Sequence, residues 1–111
     1  FEVANKLGIQ IERSKICGGW AKSPLWRRIM ANVLGIAVDI PACEEGPGYG
    51  GAILAAVACG EYASVEEAAE KLIRVVDTVE PEPELCAKYE KRYETFKKIY
   101  PALKPLFQTM E

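Results

Sequence analysis

The chain has 111 residues and a formal net charge of −2. That length holds one small domain, and an acidic balance with a pI near 5.3 excludes a nucleic-acid backbone as the main partner. Hydrophobic residues make up 50% and charged residues 27%, a globular composition, and the absence of histidine removes the commonest general base and metal ligand.

Phe1 to Leu7 has the pattern of the last turns of a helix, with Gly8 at the position where a left-handed residue closes it. A chain that opens in mid-helix without a cap is expected to be a piece of a longer one. Lys15-Ile16-Cys17 is a short apolar run expected to form a strand. It leads into Cys17-Gly18-Gly19-Trp20-Ala21-Lys22-Ser23-Pro24-Leu25-Trp26, the stretch that organises the sequence. Two adjacent glycines permit a sharp turn and close approach of another group to the backbone. Ser23 is suited to cap the following helix, and Pro24 to its first position, where a missing N–H costs nothing. A strand, a glycine turn and a capped helix can together hold a nucleotide phosphate, although the same pattern also serves as an ordinary connection. The stretch is neither a Walker loop nor the complete dinucleotide fingerprint.

The helix is expected from Pro24 to Leu34 and to be ended by Gly35. Leu25, Ile29, Val33 and Leu34 fall near one face, widened by Trp26 and Met30, with Arg27 and Arg28 on a solvated polar side. Ile36 to Ile40 is expected to be a strand, making a right-handed crossover if it is parallel to the first. In the loop from Ala42 to Gly48, Glu44 and Glu45 are adjacent, and adjacent loop carboxylates rarely converge on one substrate. Tyr49 to Cys59 is almost free of polar side chains and is expected to be the buried central helix, ended by Gly60.

Ser64-Val65-Glu66-Glu67 is a capping box that starts a helix reaching about Ile73 or Val75, with Val65, Ala68, Ala69, Leu72 and Ile73 inward. Val76 to Pro83 is expected to be extended. A long helix follows, with Leu85, Tyr89, Tyr93, Phe96 and Tyr100 as an amphipathic docking stripe, and Pro101 and Pro105 are expected to break up the tail. Cys17, Cys43, Cys59 and Cys86 lack metal or redox spacing and are expected to be buried, reduced thiols. No signal peptide is evident, and the apolar run from Ala52 to Cys59 is too short to cross a bilayer, so a cytoplasmic location is expected. Helices outnumber two or three short strands, too few for a covered free-standing sheet, so further strands are expected before Phe1.

The segment from Gly18 to Arg27, followed by Glu44-Glu45-Gly46-Pro47 and Gly50-Gly51-Ala52-Ile53-Leu54-Ala55-Ala56, resembles the C-terminal part of the FGGY carbohydrate kinases. The likeness is greatest to xylulokinases, whose turn usually has a third glycine, and extends through the tail from Tyr89 to Leu103. It implies an α/β fold: the helix-rich C-terminal portion of a ribonuclease-H-like, actin-like ATPase domain with few short strands. Residues 1–111 would then be a partial kinase C-terminal domain, the nucleotide-binding half, with 83–111 as its helical tail. The resemblance further implies transfer of the ATP γ-phosphate to a ketose hydroxyl, D-xylulose in the first instance, with Mg2+ bound elsewhere. Gly18, Gly19, Trp20 and Ser23 match the nucleotide-binding turn.

Two departures bear on that expectation. Trp20 replaces the third glycine, where a positive φ would strain it; its ring either stacks on adenine or fills the adenine slot. Asn32 replaces a commonly acidic position, with little effect expected. The family's sugar-binding residues, catalytic aspartate and metal-associated residues belong to segments N-terminal to this one, so the isolated chain is not expected to turn over substrate. The rival expectation is a non-catalytic interaction module with a degenerate nucleotide site. Pairing of two copies as a homodimer through the exposed apolar surface is a third.

Overall fold

A computed structural model of the chain describes residues 1–43 and 46–110. The paired carboxylates Glu44 and Glu45 lie outside them. Helix α1 spans Glu2–Lys6 and ends in a glycine motif: the Gly8 N–H donates to the Asn5 carbonyl and the Ile9 N–H to that of Ala4, both at 3.0 Å. Strand β1 is Arg13–Lys15, two residues earlier than the apolar run suggests. A short 3-10 turn, Gly19–Lys22, leads into α2, Pro24–Leu34, and then β2, Ala37–Pro41. Helices α3, Gly46–Ala58, and α4, Val65–Leu72, form an antechamber pair before β3, Val75–Val79. Helices α5, Pro83–Phe96, and α6, Ile99–Phe107, close the chain.

The three strands form one mixed sheet in the order β1-β2-β3. β1 runs parallel to β2, with Ser14 opposite Val38, and β3 runs antiparallel to β2, with Thr78 opposite Asp39. By strand alternation Val38 and Ile40 share one face. They form the core with Ile16, Ala21 and Ala31, and Val79 packs against it. Val38 and Ala31 are wholly buried.

Several apolar expectations are corrected by this packing. In α2 the buried residues are Ala31 and Asn32, while Leu25, Trp26 and Val33 are exposed, because the narrow sheet meets only one strip of the helix. Only Ile53 of α3 is buried; the helix packs on α4 and leaves Leu54 57% exposed, so it is not a central helix here. Apolar composition left α3 free to be buried, but among the described residues no second layer lies across it. None of the four cysteines is buried: Cys17 and Cys59 are exposed, Cys43 and Cys86 half-buried, all with free thiols. They lie at element ends rather than in the core strip. Val65 is exposed, leaving Ala68 as the buried residue of α4.

The caps follow the sequence more closely. Ser64 Oγ accepts from the Glu67 N–H at 3.1 Å, while the Glu67 carboxylate accepts from Ala63 N–H at 2.9 Å, one residue earlier than in the usual reciprocal box. Gly35 and Gly60 end α2 and α3 with positive φ. The tail differs: α6 runs through both Pro101 and Pro105. Pro101 lies in its first turn, where the missing N–H has no helical acceptor, and Pro105 is near its end, where few bonds remain to be lost.

Candidate functional site

The glycine turn lies where β1 ends and α2 begins. Gly18 has φ +94°, a conformation that L side chains rarely adopt, so this is the position where glycine is required. Gly19 needs no such conformation, and a side chain there would meet nothing within 4 Å, which leaves its backbone open to approach. Trp20 is in the 3-10 turn, and among the described residues only glycines have positive φ, so the strain expected of Trp20 is absent. The reason is a shift of the bend: Gly18 takes the left-handed conformation, and Trp20 takes a helical one.

The Trp20 indole folds back beside Gly18. Its Nε1 and Cδ1 lie 3.8 and 3.9 Å from where a Gly18 Cβ would stand, and the residue remains 42% exposed. Ala21 is buried beneath the turn, and its N–H donates to the Gly18 carbonyl at 3.0 Å. Ser23 caps α2: its Oγ accepts from the Trp26 N–H at 3.5 Å, a long bond. Thus Gly18, Gly19, Trp20 and Ser23 are brought together on one surface bend at the N-terminus of an eleven-residue helix.

Two arginines that sequence periodicity places on a solvated side have structural partners. Arg27 is largely covered. Its Nε donates to the Ala21 carbonyl and its Nη1 lies 3.6 Å from Asp77 Oδ2, so it ties the turn to β3 from behind. Arg28 is exposed but forks onto Glu82, with Nη2 2.8 Å from Oε2. Those bonds are the main reason that the Glu82 carboxyl is held down to about 2. Neither arginine presents a bare cation to a phosphate.

Asn32 is also more than a neutral replacement. It is 1% exposed, and its Oδ1 accepts from the Glu82 N–H at 2.6 Å. That bond satisfies a backbone donor at the start of α5, which has no side-chain cap of its own. On the opposite face of the sheet from Val38, Asp39 is 3% exposed. It accepts from Thr78 Oγ1 at 2.7 Å and from Arg13 Nη1 at 2.8 Å, linking all three strands. The Thr78 bond first, then Arg13, lowers its pKa. Sequence reading missed Asp39, although a charge inside the run Ile36–Ile40 was a signal for a satisfied buried carboxylate.

The chemistry of the donors decides what this chain can hold. No group of three or more metal-ligating side chains is found among the described residues. The turn offers backbone at Gly18 and Gly19 beside a helix N-terminus, which suits an anionic nucleotide rather than a metal. No helix is long and apolar enough to cross a membrane among the described residues.

Comparisons with known proteins place the chain in a family. Residues 1–59, which include the whole turn, match the model of the FGGY family of carbohydrate kinases, C-terminal domain. The autoinducer-2 kinase of Salmonella paratyphi B is 34% identical over 99 residues, covering 89% of this chain and 19% of that protein. The xylulose kinase of Staphylococcus epidermidis is 31% identical over 106 residues, covering 96% of this chain and 21% of that one. The chain therefore spans about a fifth of the length of the curated relatives it matches. The ligand-bound xylulose kinase structure from Lactobacillus acidophilus superposes with a TM-score of 0.82 at 19% identity, over 98% of this chain and 22% of that one. That likeness fixes the fold as the helix-rich α/β C-terminal portion of the actin-like ATPase fold. With more than half of its residues matched by one family model, the chain belongs to the FGGY family of carbohydrate kinases, in the C-terminal domain of that family.

Proposed function

We propose that this chain is the C-terminal segment of an ATP-dependent sugar kinase and supplies one wall of the nucleotide site. Gly18 and Gly19 provide backbone against the phosphates or ribose, Trp20 borders the adenine, and Ser23 lies near the adenosine while capping α2. The observation that carries this is the surface bend at Gly18, φ +94°, lying within the family match and opening onto a helix N-terminus. Residues 1–111 form part of the kinase domain, with 83–111 as its helical tail. When bound, ATP with Mg2+ supplies the transferable phosphoryl group; the metal is held by residues of other segments.

The acceptor is a small sugar hydroxyl. A ketose, D-xylulose, is the first substrate to test, because relatives named xylulose kinase match nearly the whole chain. Relatives named autoinducer-2 kinase match it comparably, which makes autoinducer-2 the competing acceptor. Phosphoryl transfer needs metal, base and nucleophile positioned together, so the segment alone is expected to be inactive. A cytoplasmic location fits an ATP-consuming sugar kinase.

A second reading has its own observation. The Trp20 indole lies beside Gly18, and a ring that fills the adenine slot would make this a degenerate site on a non-catalytic interaction module. Calorimetric titration of the full-length parent with ADP separates the two. Saturable binding, weakened about tenfold by Gly18→Ala through strain at a positive φ, supports the kinase wall. No heat at millimolar ADP, restored by Trp20→Gly, supports the degenerate site. Light scattering on the same samples reads whether copies pair through the exposed apolar surface.

A further inference from the structure

Two thiols that the nucleotide reading does not use line one small cleft. Cys17 lies two residues past β1 and Cys43 two residues past β2, at the same end of two parallel neighbours. Both border the cleft that also includes Gly18, Lys22 and Arg27. The Cys17 sulfur lies 3.1 Å from where a Gly46 Cβ would stand. Cys17 is exposed and Cys43 half-buried, so peroxide can reach the first, and the second lines the same cleft. Cys59 and Cys86 do not line that cleft.

We infer that Cys17 and Cys43 are a dithiol that closes to a disulfide under hydrogen peroxide, a modification site at the root of the glycine turn. The Cys17 sulfur attacks one peroxide oxygen; the O–O bond breaks, the thiol's proton joins the departing hydroxide, one water leaves, and a sulfenic acid remains on Cys17. The Cys43 sulfur then attacks that sulfur, the S–O bond breaks, the Cys43 thiol's proton joins the departing hydroxide, and a second water leaves. Two thiols are oxidised to one disulfide, and one peroxide is reduced to two waters. The bond would tie the strand end that carries Gly18 to the segment that follows β2, and so fix the turn's position.

The test uses the native protein, treated with hydrogen peroxide, alkylated, and digested with trypsin plus a glutamate-specific protease, which separates Cys43 from Cys59. The expected result is a Cys17–Cys43 linked peptide lighter by two hydrogens than its free halves. Alkylation is lost at both residues, kept at Cys59 and Cys86, and regained with dithiothreitol. In Cys17→Ser the loss at Cys43 disappears. Sulfinic acid at Cys17 or Cys43 without the linked peptide overturns the inference, and so does an equal yield of links to Cys59 or Cys86. The readout is a peptide mass, so it stands or falls independently of whether the turn holds a nucleotide.

Discussion

The central strand β2 and the helix α3 are both apolar stretches of the chain, and they have opposite fates. Ala37 to Ile40 is buried at every position, Asp39 included, whereas of the thirteen residues of α3 only Ile53 is buried. The strand is enclosed because β1 and β3 flank it and α2 covers its Val38 face. The helix touches α4 and little else. Burial is thus decided by neighbours, and composition only permits it. The whole chain shows the same imbalance: its radius of gyration is 18.4 Å, against about 13 Å for a compact domain of this length. Its accessible surface is 8416 Å², against about 6,100 Å² for a compact monomer of this mass. Under the proposed function the remainder of the kinase covers that excess, with the apolar faces of α3 and α6 as its contact surface.

The contrast can be broken most forcefully at Val38. Val38→Asp places an unpaired charge in the core and is expected to cost about 4 kcal/mol or more, enough to abolish cooperative urea unfolding. A normal transition in that variant would show that β2 is not the structural centre. The next effect is expected at Asn32, which joins the enclosed region to the outlying one. Asn32→Ala leaves the Glu82 N–H without its acceptor and should cost about 1–3 kcal/mol by the same measurement.

Acid should loosen the enclosed region through Asp39. Its folded pKa lies below the ordinary 3.8, so its contribution is complete above that value and is lost as pH falls through the folded one. Glu82 behaves likewise between 4.5 and about 2. Melting temperature should therefore fall below about pH 4.5. Asp39→Asn should flatten the lower part of that fall, and an unchanged pH slope would remove Asp39 from the account. The smallest effect is expected on α3: Leu54→Asp should change the stability of this segment by less than about 0.5 kcal/mol. A large loss from the same substitution in the full-length parent would show that another part of the kinase covers this helix.

Much of the local structure was legible because its causes are local. Ser23, Pro24 and Gly35 bound α2 at both ends, since a side-chain acceptor, a fixed φ and a left-handed residue act within one turn of chain. Ser64 and Gly60 did the same for their helices. The extended stretch after Val75 was recognised, but its pairing with β2 was not, because a register joins residues some forty positions apart. Within the candidate site, the glycines and Ser23 were evident from residue type. The helical conformation of Trp20 was not, because the positive φ could be assigned to any residue of the bend until Ala21 was seen packed beneath it.

By itself the sequence determined the order of most elements, both ends of α2, the turn at Gly18-Gly19 and the family resemblance carried by that turn. Only the tertiary structure decided which apolar residues are enclosed. It also decided that Arg27 braces the turn, that Asn32 anchors α5, and that Asp39 is a buried carboxylate shared by three strands. Caps and turns draw on forces between residues a few positions apart. Burial and charge pairing depend on which distant segments meet, and no local pattern records that.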